Sequence, residues 1–448
     1  MVRSLSLHSV SSFEEPSAQT KQPLLYALAM DRGFLKANTV LDDLVTVGGI
    51  ENSDRQFLGP LLPRQALANS RNIPAVNVLK QVGLDGAYQF FRELGLHDNR
   101  LPADHYGLGL AIGGMPTSLE RLVKVYAMLA NSGVQQDLRW FSDQELGAPK
   151  RSLTEATSRQ VSLFLADPMA RLPTFSRMGA TEYPFPVAVK TGTSQGFRDA
   201  WTMAYSKEYL VGVWVGRADW SPMKGLTGGN SAAKLVREVL LDLHEGQGSG
   251  LADLSFPPPV GYEAVDVCGY TGQMAVQECF QKVREWFPPD ELPERDTTHL
   301  RLPIDQRSGL LATSETIEEF REYRTFVRLP GAYAGWAAAN NLAAPPGEYS
   351  SVEWLENTES SSLSIMSPEH GVRLLINPDI PAGLNSLGLS VSVDPPVEQI
   401  LWFVDGRPYE LVDSPYAARW PLARGRHSFQ ARLPYRSEVS EVVEVFVE

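Results

Sequence analysis

Residues 187–217 read VAVKTGTSQGFRDAWTMAYSKEYLVGVWVGR. Three runs in this stretch, PVAVKTGTS, DAWTMAYS and YLVGVWVGR, are rich in β-branched and aromatic residues. Such residues favour a pleated, half-buried surface. Short polar breaks separate the runs, so the stretch reads as three consecutive antiparallel strands. The flanks read as helices. Upstream, Pro23 to Met30 (PLLYALAM) is apolar, with Pro in its first turn and Gly33 as a stop. GLDGAYQFFRELGL is a second helix, with Asp85 as N-cap and Gly95 at its end. A third begins at Thr117, where Thr117 and Glu120 have capping-box spacing. In it Leu119, Leu122, Val123, Tyr126, Leu129 and Ala130 recur at helical period before Gly133. Downstream, Asn230 to His244 returns to that period. Helices around a run of strands give an α/β (α+β) fold with an antiparallel sheet flanked by helices.

The chain has 448 residues and a net charge of −13, enough length for several domains. With 43% hydrophobic and 21% charged residues it is composed like an ordinary globular protein. The acidic balance argues against a nucleic-acid partner, which would need clustered Lys and Arg. Two cysteines exclude a disulfide scaffold, and the seven His show no metal-ligand spacing. No window reaches about 18 uninterrupted apolar residues, so no membrane span is expected. Residues 246–363 are broken by FPPPVGY, WFPPDELPE and AAPPGEYSS and read as an irregular linker. Residues 364–448 alternate in SLGLSVSVD, QILWFVDG, SFQARLPY and EVVEVFVE, the pattern of a small all-β sandwich. Trp402, Phe403 and Tyr416 are expected in its core, and Trp214 in strand packing.

Lys190-Thr191-Gly192-Thr193 lies on the first of the three strands. Alone this pattern is common. It gains meaning from Ser70-Arg71-Asn72 upstream, a Ser-x-Asn triplet that leads into Pro74 and a helix. Ser-x-Asn followed by Lys-Thr-Gly belongs to serine acyl-transferases that react with penicillin. Such a site needs a Ser three residues before a Lys at a helix start, so that the Lys can take the Ser proton. A Ser-x-Asn pair adds a hydroxyl to relay a proton and an amide to hold substrate backbone. A Lys-Thr-Gly strand offers a cation and hydroxyls to a carboxylate, and its Gly lets a peptide lie close.

The stretches PLLYALAMDRG, LANSRNIPAVNVL, YGLGLAIGGMPTSLERLVKVYAMLANSG and VAVKTGTSQGFRDAWTMAYS resemble the transpeptidase domain of class A penicillin-binding proteins of the 1C type. The segment VCGYTGQMAVQECF resembles the linker that follows in that family, and SPEHGVRLLINPDIP with WFVDG its C-terminal Ig-like domain. The resemblance implies a serine beta-lactamase-like fold over residues 23–245, a linker over 246–363 and an Ig-like domain over 364–448. It implies catalytic roles for Ser70, Asn72 and Lys190, and substrate binding by Thr191, Gly192 and Thr193. The implied partners are D-Ala–D-Ala stem peptides of peptidoglycan and beta-lactams, without cofactor or metal, in the periplasm or cell envelope.

One motif departs from the family. Anchoring on Pro23 and Tyr26-Ala27-Leu28 puts Gln19-Thr20-Lys21-Gln22 where Ser-x-x-Lys belongs, with Gln19 at the nucleophile and Gln22 at the lysine. Ser17 with Lys21 is a conceivable rescue pair on one helix face. Ser221-Pro-Met-Lys224 and Ser231-Ala-Ala-Lys234 also match the spacing but follow the Lys-Thr-Gly strand, so they read as chance. The family carries an anchor and a glycosyltransferase domain ahead of this region, and residues 1–22 read as the degraded edge of such a protein. Acyl transfer is therefore expected to be lost. The alternative is a non-catalytic scaffold that binds cell-envelope proteins through residues 364–448. Made as written, the chain would stay cytoplasmic. Cys268 and Cys279 could pair in an exported protein, and Thr297 and Thr298 stand near the place where the family has a further Cys.

Overall fold

The alternating runs of 187–217 become a three-stranded antiparallel sheet in the computed structural model. The structure describes residues 15–16, 18–45, 50–98, 101–217, 221–223, 225–245, 254–306, 309–313, 316, 318–342, 344–346, 361–376, 385–397, 399–434 and 438–448. β1 (Ala188–Thr193) pairs with β2 (Asp199–Tyr205), and β2 pairs with β3 (Leu210–Gly216). Lys190 lies opposite Met203, Thr191 opposite Thr202 and Gly192 opposite Trp201. Every residue of the central β2 is buried, because both faces are covered. β1 stands at one edge, with one side of its backbone not used by the sheet. The turn between β1 and β2 is closed by Ser194, whose hydroxyl donates to Asp199 Oδ2 at 2.7 Å and accepts the Asp199 N–H at 2.9 Å.

The helices follow from their apolar faces. α1 (Gln22–Asp31) is buried from Gln22 to Ala29, as expected for a helix apolar on all sides. α2 (Pro63–Ala68) and α3 (Asn72–Val82) follow, then α4 (Leu84–Glu93), which starts at Gly83 with Asp85 inside its first turn rather than at its cap. α5 (Leu119–Ala130) is capped by Ser118, whose Oγ accepts the Arg121 N–H at 3.3 Å. Thr117, the cap expected from sequence, spends its hydroxyl on the Leu96 carbonyl at 2.9 Å. α6 (Glu155–Ala166) had no clear periodic signal, because Thr157, Ser158, Gln160 and Ser162 share its buried side with Val161, Phe164 and Leu165. The last helix opens with a π turn over Gly228–Ala232 and continues as α7 (Ala233–Leu243). A side chain at Gly228 would place its Cβ 2.5 Å from the Trp201 carbonyl and 2.6 Å from that of Gly192, so only glycine lets this turn meet the sheet.

The expectation of an irregular stretch over 246–363 needs correction. β4 (Glu263–Cys268) pairs with β5 (Lys282–Phe287), and β6 (His299–Asp305) with β7 (Arg321–Val327), both antiparallel. A short helix, α8, follows over Ala334–Ala339. Charged residues interrupt these strands without a regular period (Glu263 and Asp266 on β4, Lys282, Arg284 and Glu285 on β5), which hid them among the nearby prolines. One buried anchor explains the first pair. Glu285 on β5 is fully buried and accepts from Arg64 of α2 at Oε1 (2.6 Å) and Oε2 (2.7 Å). Neither cysteine is free.

The chain divides into two units. One comprises Met1–Asp43, Glu51–Met274 and Gln281–Glu294, and the other Leu44–Ile50, Ala275–Phe280 and Arg295–Glu448. The second ends in two sheets. β8 (Ser362–Ser367), β10 (Ser386–Asp394) and β13 (Ala418–Pro421) make one, in the order β8-β10-β13. β9 (Arg373–Leu374), β11 (Gln399–Val404), β12 (Arg407–Asp413), β14 (Gly425–Arg432) and β15 (Val443–Val447) make the other, in the order β9-β15-β14-β11-β12. Their inner faces share a core that includes Leu389, Val391, Ile400, Trp402, Tyr416 and Phe429. Phe403 is not in that core. It is half-buried on the other face, under the Arg432 guanidinium at 4.0 Å from the ring centre.

Candidate active site

Lys190 is the centre of the arrangement. Its side chain is 1% exposed, and its Nζ donates to Ser70 Oγ at 2.5 Å and to the Thr191 carbonyl at 2.9 Å. Burial lowers its pKa to about 7, because an ammonium loses hydration there. Ser70 lies between α2 and α3 with φ of +56°, a left-handed backbone that costs a non-glycine residue energy. Its N–H reaches the Leu67 carbonyl at 3.1 Å and the next N–H, of Arg71, reaches Ala66 at 3.0 Å. The strained residue is thus fixed from both sides and holds its hydroxyl toward β1.

Asn72 opens α3 and faces the same place. Its Nδ2 donates to the Glu51 carbonyl at 3.0 Å, which leaves Oδ1 for Gln19 Nε2 at 3.4 Å. Gln19 sits in the 3-10 turn Ala18–Lys21 ahead of α1 and is 7% exposed. Its Nε2 also reaches Ser53 Oγ at 3.4 Å, and its Oε1 accepts the Thr193 N–H at 3.1 Å. Thr193 Oγ1 in turn accepts the Gly228 N–H at 3.1 Å. Gln19, Ser70, Asn72, Lys190 and Thr193 therefore meet at the outer edge of β1. The Thr193 bond to Gln19 also fixes the sense of that edge. Alternate residues of a strand point their N–H and C=O the same way, so Thr191 and Thr193 both direct theirs away from β2.

Lys21 goes elsewhere. It is fully buried, its ammonium donates to the Met115 carbonyl, and burial lowers its pKa to about 7. Ser17 lies outside the described residues, as does Lys224. Ser231 donates to the Thr227 carbonyl at 2.5 Å, and Lys234 is exposed on α7. Gln22, which the sequence alignment set opposite the lysine of Ser-x-x-Lys, is poorly served. Its Nε2 is 3.5 Å from the Arg71 carbonyl, and its buried Oε1 has no hydrogen-bond partner among the described residues. Buried acceptors are normally satisfied.

The sequence did not point to the network beneath Ser70 and Asn72. Arg71, 2% exposed, donates to Asp43 Oδ2 and Asp54 Oδ2, each at 2.8 Å. Asn52 donates to Asp43 Oδ1 at 2.6 Å and accepts the Asn72 N–H at 2.9 Å. These residues tie the loop before α2 to the start of α3. Their partners lie up to 28 positions away in sequence, so no local spacing reveals them.

The family model described as the penicillin binding protein transpeptidase domain matches residues 16–240, and that described as the penicillin-binding protein C-terminus family matches residues 355–431. Penicillin-binding protein 1C of Escherichia coli (strain K12) is 32% identical over 233 residues, which cover 51% of this chain and 30% of that protein. Penicillin-binding protein 1A of Neisseria meningitidis serogroup A is 24% identical over 231 residues, 46% of this chain and 28% of that protein. The matched region thus spans under a third of either relative. The crystal structure of penicillin-binding protein 1A from Haemophilus influenzae superposes with a TM-score of 0.52 at 16% identity, over 64% of this chain and 50% of that one. At that identity the likeness concerns the fold.

Proposed function

This chain belongs to the penicillin-binding-protein transpeptidase family, and from that premise we propose that its cleft binds the D-Ala–D-Ala end of peptidoglycan stem peptides, and the penicillins that mimic it, without acyl transfer through position 19. The gathering of Lys190, Ser70, Asn72 and Thr193 at the unpaired edge of β1 carries this reading. A peptide can add to that edge as a further strand, with main-chain bonds to Thr191 and Thr193. The Asn72 amide suits the peptide backbone. Lys190, when protonated, suits its terminal carboxylate.

Chemistry through the usual position needs a hydroxyl and a base, and Gln19 and Gln22 supply neither. A carboxamide is not a nucleophile under these conditions, and removing a nucleophile costs several orders of magnitude because the partners act as a unit. The proposed role is therefore reversible binding, in the cell envelope where such peptides occur. Fluorescence anisotropy with a labelled penicillin tests it. Binding should be reversible, competed by a peptide ending in D-Ala–D-Ala, and leave no fluorescent band after denaturation. Absence of competition, or a covalent band, would overturn it.

A further inference from the structure

The Gln19 carboxamide makes three polar contacts that span the cleft. Its oxygen takes the outward N–H of Thr193 on β1 at 3.1 Å. Its nitrogen donates to Asn72 Oδ1 on the α3 side and to Ser53 Oγ, each at 3.4 Å. One acceptor and one donor group on a planar amide are also what a peptide bond presents. The Thr193 N–H and Asn72 Oδ1 are the groups assigned above to a ligand's amide. We infer that Gln19 is a built-in occupant of the amide-binding position, so that a bound peptide or penicillin must first displace it. This rests on the binding reading of the previous section.

The backbone that carries Gln19 is firmly held. The Thr20 carbonyl accepts the Tyr126 hydroxyl at 2.6 Å, and Lys21 is bound to the Met115 carbonyl. Both following residues are fully buried. The side chain can therefore leave only by turning about its own torsions, and with 7% exposure it blocks the position while it stays. Hydrogen bonds inside a protein contribute modestly each, so a few of them hold the amide in place but yield to a ligand that remakes them. The closed cleft also leaves no edge N–H of Thr193 open for stray strand pairing.

The test compares wild-type protein with Gln19→Ala, using a labelled penicillin and a D-Ala–D-Ala-ended peptide as probes. With the occupant gone, affinity should rise about ten- to a hundredfold for both probes, on the scale of one or two hydrogen bonds no longer broken on binding. Hydrogen exchange of the segment containing Thr193 gives an independent reading on the unliganded protein. It should be faster in Gln19→Ala and slow again when probe is added. Equal or weaker binding by Gln19→Ala, at unchanged melting temperature, overturns the inference and leaves the binding reading standing. Binding by neither protein overturns both. Thr193 exchange that ignores the substitution also overturns it.

Discussion

On the proposed binding role, Lys190 should link ligand binding to protons, with a size set by its buried amine. The buried side chain has a pKa of about 7, whereas an unfolded lysine stays near 10.5. As a neutral amine it has two N–H donors, and its contacts with Ser70 Oγ and the Thr191 carbonyl use both. Protonation adds the third donor and the charge that a carboxylate needs. At pH 6 most molecules carry the proton, at pH 7 about half, and at pH 9 about 1%. The affinity for a carboxylate-ended peptide should therefore fall about a hundredfold from pH 6 to pH 9, about 2.7 kcal/mol. Isothermal titration in buffers of different ionisation enthalpy should show uptake of about half a proton at pH 7. Lys190→Met should bind weakly with no pH dependence. The contribution of Lys190 to folding stability runs the other way over this range. The unfolded chain binds more protons than the native one between pH 7 and 10.5, so the burial penalty on Lys190 fades and stability rises with pH. That penalty is about 5 kcal/mol below pH 7, and Lys190→Met should remove most of it. A flat affinity from pH 6 to 9, or a slope that survives in Lys190→Met, would refute the reasoning.

Three further outcomes are expected. Arg64→Leu strands the fully buried Glu285 and should destabilise the protein by about 3–5 kcal/mol in denaturant titration, whereas adding Glu285→Leu should recover most of the loss; equal losses in both would contradict this. Asp43→Ala frees Arg71 and Asn52, so probe affinity should fall at least about tenfold as Ser70 and Asn72 lose their fixed positions, and unchanged affinity would remove the network from the account. Trp402→Ala empties the centre of the C-terminal sandwich and should cost about 3–5 kcal/mol, read by near-ultraviolet circular dichroism during unfolding.

The sheet was legible because its strands are short, rich in β-branched and aromatic residues and separated by clear breaks, and β2, mostly apolar, is buried throughout. Pro23 and Tyr26 set the register that aligned Gln19 with the expected serine, and in the structure Gln19 touches both Asn72 and Thr193. Competition between local and distant partners hid the rest. Thr117 matched a capping box, but the Leu96 carbonyl took its hydroxyl and Ser118 became the cap. The strands at 263–268 and 282–287 carry charges at many positions, and Glu285 among them is buried only because Arg64, 221 positions earlier, meets it. Asp43, Asn52 and Arg71 look like surface residues in sequence and acquire their role from contacts across loops.

The central claim is that a penicillin-type cleft is present with its nucleophile position filled by glutamine. The most direct measurement is intact-protein mass after incubation with excess penicillin, for wild type and for Gln19→Ser combined with Gln22→Lys. Wild-type protein should gain no mass. The double variant restores the Ser-x-x-Lys pair and should gain one penicillin per chain. A penicillin adduct on the wild-type protein, or a folded double variant that stays unmodified, would contradict the claim.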